Sequence, residues 1–112
     1  MRTLRLLNLH CNKIDNDDNT KVNETILTVE NGKFHEFGPE SMMNGSDWDI
    51  HIDIQFNEQA IVSFFDEDLI RNLSNIKHVR THIVEENEVR EGQKKISFTS
   101  DNANYVLTYE II

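Results

Sequence analysis

The chain has 112 residues, 38% of them hydrophobic, and its 20 acidic and 11 basic residues give a net charge of -9. A single domain over residues 1–112 is expected, because a chain of this length buries enough surface to fold without a metal or a disulfide. Cys11 is the only cysteine, which excludes an intrachain disulfide and a thiolate metal cluster. The charge repels phosphates, so direct nucleic-acid binding is not expected.

The first half of the chain predicts strands, because apolar and polar residues alternate with a period of two. The segment TLRLLNLHC predicts the first strand, with Cys11 as a buried thiol. ETILTVE, then Asn31-Gly32, then KFHEF predict a hairpin with a tight turn. WDIHIDIQF predicts a strand with one face on a core and one face in water. Pro39 is expected in a loop, where its missing N–H removes no ladder hydrogen bond.

Four later segments, QAIVSFF, IKHVRTHIV, KKISFTS and YVLTYEII, predict further strands. Only DEDLIRNLSN, residues 66–75, has apolar residues spaced for one or two turns of helix. Together the segments predict an all-β fold, an antiparallel Greek-key β-sandwich of about eight strands. The N-terminal apolar run is too short for a signal peptide, and no stretch is long enough to span a membrane. We therefore expect a cytoplasmic location at synthesis.

Histidines occur at both ends of HVRTH, but four residues of strand separate them by about 13 Å. His78 and His82 are therefore too far apart to share a metal ion. With Arg80 they are expected to form a solvated cationic stripe, and the alternative is a contact surface that responds to pH. No nucleophile elbow, metalloprotease motif or glycine-rich phosphate loop occurs in the sequence, so no enzymatic activity is expected.

The acidic segment KIDNDDNTKVNE, residues 13–24, is longer than most connections in compact domains, which favours a function for it. It is not an EF-hand, because Thr20 and Ile26 stand where that loop needs glycine and a bidentate glutamate. A calcium site built by two loops at one end of the sandwich remains open, since calcium takes six to eight oxygen ligands. The available carboxylates in the two segments are Asp15, Asp17, Asp18, Glu24, Asp66, Glu67 and Asp68.

Several short motifs resemble a family of small bacterial β-sandwich domains. In that family an acidic loop precedes a strand ending in Val-Asn-Gly, followed by a Trp-Gly-Pro-x-Ser-Met-Asn-Asp-Gly stretch and an acidic strand end. Here these motifs read VENG, then FGPESMMNG, then DED. The family is similar to the calcium-dependent phospholipid-binding (C2) domains, whose calcium lies between two acidic loops. The resemblance implies calcium as a cofactor, with Asp15, Asp17, Glu24, Asp66 and Asp68 as its ligands. The chain departs from the family pattern after Asp68, where it has Arg71, Asn72 and Asn75 in place of further aspartates.

Two classes of function follow from these features. The first is a non-enzymatic binding module, assisted by calcium, that contacts lipid, glycan or protein through loops at one end of the sandwich. Met42 and Met43 could contact the partner, or one could be buried and the other exposed in a turn. The second is a small acidic inhibitor or interaction protein that occupies a basic, nucleic-acid-binding surface of a target.

The acidic face predicted for that second function combines loop and strand residues. Asp15, Asp17, Asp18 and Glu24 belong to the loop, and Asp49 and Asp53 point outward from a strand. VEENE, residues 84–88, supplies a separate acidic turn. The chain could also contribute packing within a larger assembly, or form a homodimer across an exposed sheet edge.

Overall fold

The computed structural model describes residues 1–13, 23–68, 76–88, 92–99 and 103–112, and these residues form an antiparallel β-sandwich. The fold class and the number of strands agree with the prediction. The strands are β1 (Arg2–Lys13), β2 (Asn23–Glu30), β3 (Phe34–Met42), β4 (Asp47–Phe56), β5 (Gln59–Asp68), β6 (Ile76–Glu85), β7 (Lys94–Thr99) and β8 (Asn104–Ile111). Within this part of the chain, no helix is long and apolar enough to cross a membrane.

The strands form two sheets of four. The first sheet has the order β4-β1-β8-β7 and the second sheet has the order β3-β2-β5-β6. The chain therefore crosses between the sheets after β1, β3, β4 and β6. One end of the sandwich, here called the loop end, carries the connections β1–β2, β3–β4, β5–β6 and β7–β8. At the opposite end, here called the terminal end, Thr3 and Ile112 exchange two backbone hydrogen bonds of 3.0 and 2.9 Å.

The core lies between the sheets and follows from the alternation in the sequence. In β4, Ile50, Ile54 and Phe56 are buried while Asp49 and Asp53 are exposed. Cys11 is fully buried, as predicted. The centre of the core is aromatic: the Phe64 ring lies 5.2 Å from the Phe98 ring and 4.6 Å from the Tyr105 ring, measured between centroids.

The predicted hairpin joins β2 to β3 through residues 31–33. Gly32 has a φ of +103°, which glycine adopts without the Cβ clash of other residues. The Asn31 side chain accepts a hydrogen bond of 3.0 Å from the Lys33 backbone N–H, which closes the turn. The Asn-Gly pair was therefore a correct signal for the connection.

Pro39 lies in β3 and not in a loop, so that prediction was wrong. The strand is an edge strand, and Gly38 and Pro39 form a bulge opposite Ile26, where the register shifts by one residue. Proline is tolerated at this place because a bulge on an edge strand interrupts the ladder anyway. Gly38 has a φ of +104° and approaches β2 closely, since a Cβ there would lie 2.6 Å from the Thr25 carbonyl oxygen.

The helical prediction for residues 66–75 is wrong at its start, because residues 66–68 are the last three residues of β5. Residues 69–75 lie outside the described part of the chain. His82 also differs from its prediction as part of a solvated stripe, because it is half-buried and its ring centroid lies 6.4 Å from that of Tyr109. The His78 side chain lies outside the described residues, whereas Arg80 is exposed, as predicted.

Candidate functional site: the loop end

The loop end brings together the strand ends that carry the two predicted acidic segments. β2 and β5 are neighbours, and Asn23 at the start of β2 pairs with Asp68 at the end of β5. The next two residue pairs along these strands are Glu24 with Glu67 and Thr25 with Asp66. Connection 14–22 therefore leads into β2, and connection 69–75 leaves the neighbouring strand β5, at the same end of the sandwich.

The predicted calcium ligands are placed only in part. Asp15, Asp17 and the predicted partner residue Asp18 lie outside the described residues. Asp66 and Asp68 are placed by their backbone register in β5. Within the ranges that the structure describes, no three side chains of histidine, cysteine, aspartate or glutamate are close enough to hold a metal ion. The calcium set stays a prediction.

Glu24 has a protein partner of its own. The Ser41 hydroxyl donates a hydrogen bond of 2.6 Å to Glu24 Oε1 across the β2–β3 pair. Its neighbour Thr25 is fully buried on the inner face of the sheet. Because alternate strand residues point to opposite faces, Glu24 lies on the outer face of the second sheet. In the strand register Glu24 is therefore opposite Glu67, whereas the predicted ligand Asp66 is opposite Thr25.

The two methionines at the end of β3 and the start of the β3–β4 connection have different environments. Met42 is 1% exposed and belongs to the core, so it is not the partner contact that was predicted. Met43 is 40% exposed at the loop end. The turn that carries it is tied to β1, because the Gly45 N–H donates to the Cys11 carbonyl and the Cys11 N–H donates to the Ser46 carbonyl, both at 2.8 Å. One methionine is therefore buried and one exposed, which was the alternative interpretation.

Of the predicted acidic face, Asp49 and Asp53 lie on the outer side of the first sheet, where each aspartate of β4 meets a polar residue of β1. Glu24 lies on the second sheet instead, and the loop aspartates lie outside the described residues, so only part of the predicted set shares one face. Arg5 donates two hydrogen bonds to Asp53, of 2.8 and 3.1 Å, and these hold the pKa of Asp53 below its ordinary value. Asn8 donates a 3.0 Å hydrogen bond to Asp49. Asp53 is therefore neutralised within the sheet, whereas the uncharged partner of Asp49 leaves its negative charge in place.

The acidic turn predicted at residues 84–88 is less acidic than its sequence indicates, because Glu88 is half-buried and paired. Its carboxylate accepts hydrogen bonds from the Glu85 N–H at 2.6 Å, Lys94 Nζ at 3.1 Å and the Tyr109 hydroxyl at 3.3 Å. Burial alone would raise the pKa of Glu88, but these donors together lower it. Burial and the nearby Glu88 charge raise the pKa of Tyr109 to about 12.

Sequence reasoning missed these partners on the neighbouring strand. Arg5 and Asn8 are separated from Asp53 and Asp49 by more than forty residues, as the hydrogen-bond separations of 48 and 41 show. Only the strand register pairs them, and the register depends on the bulge at Ile50 and His51 in β4. The alternation in β1 did contain one usable signal, since its outward positions Arg5, Asn8 and His10 are polar.

A comparison with protein-family models gives no match, and a comparison with curated proteins gives none either. Among solved structures, the sandwich is similar to human GIVD cytosolic phospholipase A2, which contains a C2 domain, in its complex with a methyl gamma-linolenyl fluorophosphonate inhibitor and terbium chloride. The TM-score is 0.53 at 12% sequence identity. The match covers 98% of this chain and 17% of that one. At this identity the similarity shows the fold alone, which is a C2-like β-sandwich.

Proposed function

We propose that the chain is a non-enzymatic binding module whose loop end binds calcium and, through calcium, contacts an anionic surface. The observation that supports this proposal best is the pairing of Asn23 with Asp68, because it joins two acidic segments to neighbouring strands at one end of the sandwich. The C2-like fold supports the proposal further, and so does the presence of terbium chloride with the similar structure.

The chemistry follows from the charge of the chain. A net charge of -9 repels phospholipid headgroups and acidic glycans, and clustered carboxylates add to the repulsion locally. Calcium bound by those carboxylates neutralises them and keeps coordination positions for oxygen atoms of the partner. In our proposal Asp15, Asp17, Asp66 and Asp68 supply the protein ligands. Glu24, which Ser41 already holds, contributes less.

Calcium titration by calorimetry tests the proposal. Asp15→Asn and Asp66→Asn should each weaken binding strongly, whereas Glu24→Gln should weaken it less. Glu30→Gln is the control, since it removes one exposed carboxylate at the opposite end of β2 from the loop end. Calcium at a hundred times its dissociation constant should raise the free energy of unfolding by about 2.7 kcal/mol. The absence of heat and of any thermal shift at millimolar calcium would refute the calcium mechanism.

The class of partner is tested with the calcium-loaded chain. Co-sedimentation with phosphatidylcholine–phosphatidylserine vesicles, in calcium or in chelator, tests a lipid, and glycan arrays under the same conditions test a carbohydrate. Binding that needs calcium and fails in Asp66→Asn would identify the loop end as the contact. Vesicle or glycan binding that persists in chelator would contradict it.

The second function, an acidic protein that occupies a basic surface, is supported by the outer face of the first sheet. Asp47 and Asp49 are exposed there, and their hydrogen-bond partners are His10 and the uncharged Asn8. Elution from immobilised polylysine by salt tests this function. The double variant Asp47→Asn, Asp49→Asn should elute at lower salt than the variant Glu30→Gln, Glu36→Gln, which removes two exposed charges from the other sheet. Equal elution would exclude the face as the contact.

A further inference from the structure

A groove of about 870 Å³ opens between β3 and β4, the edge strands of the two sheets on one side of the sandwich. Its floor is apolar. Phe37 and Ile52 line it, and both are half-buried and pack against the core while part of each side chain faces the groove. Apolar surface left at the bottom of a concave site of this volume is typical of small-molecule sites.

The polar end of the groove is held in a fixed arrangement by Asn31. Its Nδ2 donates a 2.6 Å hydrogen bond to the Gln55 carbonyl on β4, which bridges the two sheets. Its Oδ1 lies 3.2 Å from Nε2 of His35 and also accepts the Lys33 N–H. The positions of Lys33 and His35 at this end are therefore set by the turn and by the opposite sheet.

The charge of the lining favours an anion. Asp53 lines the groove, but its carboxylate is already bound by two hydrogen bonds from Arg5. Lys33 is exposed and forms no ion pair within the described ranges. The N-terminal ammonium of Met1, which also lines the groove, is paired with Glu86 at 3.3 Å. The ammonium of the lining that stays unpaired among the described residues is therefore that of Lys33, and a hydrogen bond from an ionised donor such as this is roughly twice as strong as one between neutral groups.

The two edges that border the groove do not favour an added peptide strand. β3 is interrupted by the bulge at Gly38 and Pro39. β4 is interrupted by a bulge at Ile50 and His51, where His51 has a φ of +50°. Bulges and proline on edge strands are the features by which sheets block strand addition. A ligand without a peptide backbone suits the groove better.

We propose that this groove binds a free single-chain anionic amphiphile, such as a medium-chain carboxylate, with its alkyl tail on Phe37 and Ile52 and its anionic group at Lys33. Four residues of extended strand separate Lys33 from Phe37, which is about 13 Å and suits a medium-chain tail. The site needs no calcium and borders the terminal end of the edge strands. It is therefore separate from the function proposed for the loop end.

Calorimetry with sodium decanoate below its micellar concentration, in chelator, tests the proposal. Binding should weaken about tenfold in Lys33→Glu, because a charge-assisted hydrogen bond is lost. It should not change in Lys95→Glu, which makes the same charge change at an exposed position of β7. Both lysines are exposed, so both variants should fold, and circular dichroism checks this. Amide NMR shifts should localise to β3 and β4.

Three results would overturn the proposal: no decanoate binding at millimolar concentration, equal binding by both variants, or equally strong binding of decyltrimethylammonium. A vesicle assay in chelator separates a free amphiphile from a membrane. If phosphatidylcholine–phosphatidylserine vesicles bind in a manner that depends on Lys33 while decanoate does not, the groove contacts headgroups and the proposal is wrong.

Discussion

Gly38 is the residue at which backbone conformation and close packing coincide. Its φ of +104° excludes side chains, and a Cβ would lie 2.6 Å from the Thr25 carbonyl oxygen and 3.3 Å from the Trp48 ring. Gly32 has a similar φ of +103° but open space around it. We expect Gly38→Ala to lower the free energy of unfolding by about 3 kcal/mol, and Gly32→Ala by about 1 kcal/mol. Urea denaturation measures both, and equal losses would show that the contact with β2 does not matter.

His82 is expected to make stability depend on pH. Burial lowers its pKa below the ordinary 6.5, Arg80 lowers it further, and Glu88 opposes both. The unfolded chain therefore binds a proton more readily than the folded chain, so the free energy of unfolding falls as the pH falls from 6.5 toward the lowered pKa. Above pH 6.5 this contribution is fully present.

His82→Gln removes this titration, so the free energy of unfolding should change less between about pH 7.5 and pH 5.5 than it does in the parent. The exposed His51 provides the control as His51→Asn, since asparagine tolerates its φ of +50°. Urea titrations across this pH range measure the slopes. A parent-like slope in His82→Gln would assign the pH dependence to other groups.

Among the elements, β5 contributes the aromatic ring at the centre of the contact between the two sheets. Phe64 of the second sheet stacks on Phe98 of β7 and contacts Tyr105 of β8, both in the first sheet. Phe64→Ala should cost about 4 kcal/mol, because a fully buried ring leaves a cavity between the sheets. Phe34→Ala, at a position 67% exposed, should cost less than about 0.5 kcal/mol. A small loss in both variants would contradict the aromatic centre of the core.

The β6–β7 connection is attached to β1 by Arg2. Nη1 of Arg2 donates hydrogen bonds to the backbone carbonyls of Glu86 and Glu88, and the bond to Glu88 is 2.8 Å long. Arg2→Ala should cost about 2 kcal/mol and speed hydrogen exchange at the amides of residues 86 and 88. Arg5→Ala should leave these amides unchanged, since Arg5 binds Asp53 instead. Unchanged exchange in Arg2→Ala would mean that the turn holds itself.

Strands were predictable where one face is buried, because burial imposes the period-two pattern. The predictions failed where a single residue or a strand end departs from that pattern. β4 shows period-two alternation because one face lies on the core, and the Asn31-Gly32 turn has its own chemistry. Pro39 was predicted in a loop because the sequence does not reveal the bulge opposite Ile26, which allows proline within β3. The apolar residues after Asp68 have helical spacing, but the spacing of apolar residues does not show at which residue β5 ends.

At the scale of the whole molecule, the two edge strands β3 and β4 oppose pairing between two copies. Pairing between two copies of β4 would bring the exposed and uncompensated Asp49 carboxylates close to other acidic groups of that strand, and β3 is interrupted by Pro39. Light scattering after gel filtration should therefore give a mass near 13.1 kDa. Twice that mass would show that a homodimer forms in spite of these edges.

The candidate sites were predictable to different degrees for a physical reason. Acidic loops show in the sequence because their carboxylates are neighbours along the chain, and the fold needed only to bring two such segments to one end. The groove between β3 and β4 had no signal, since Phe37 and Ile52 follow ordinary strand alternation. The shape of the groove depends on the distance between the edges of the two sheets, and the order of residues along one strand does not predict that distance.

The hydrogen bonds between Thr3 and Ile112 have a consequence for how this fold can be joined to other sequences. The chain enters and leaves the sandwich at neighbouring points, so a host protein could carry it as an insertion within a single surface loop. Linkers attached there would lie at the terminal end and leave the connections of the opposite end open. By the same geometry, a short peptide could join residues 1 and 112, and new chain ends could then be opened at another connection. Circular permutants of this chain should therefore keep the same fold.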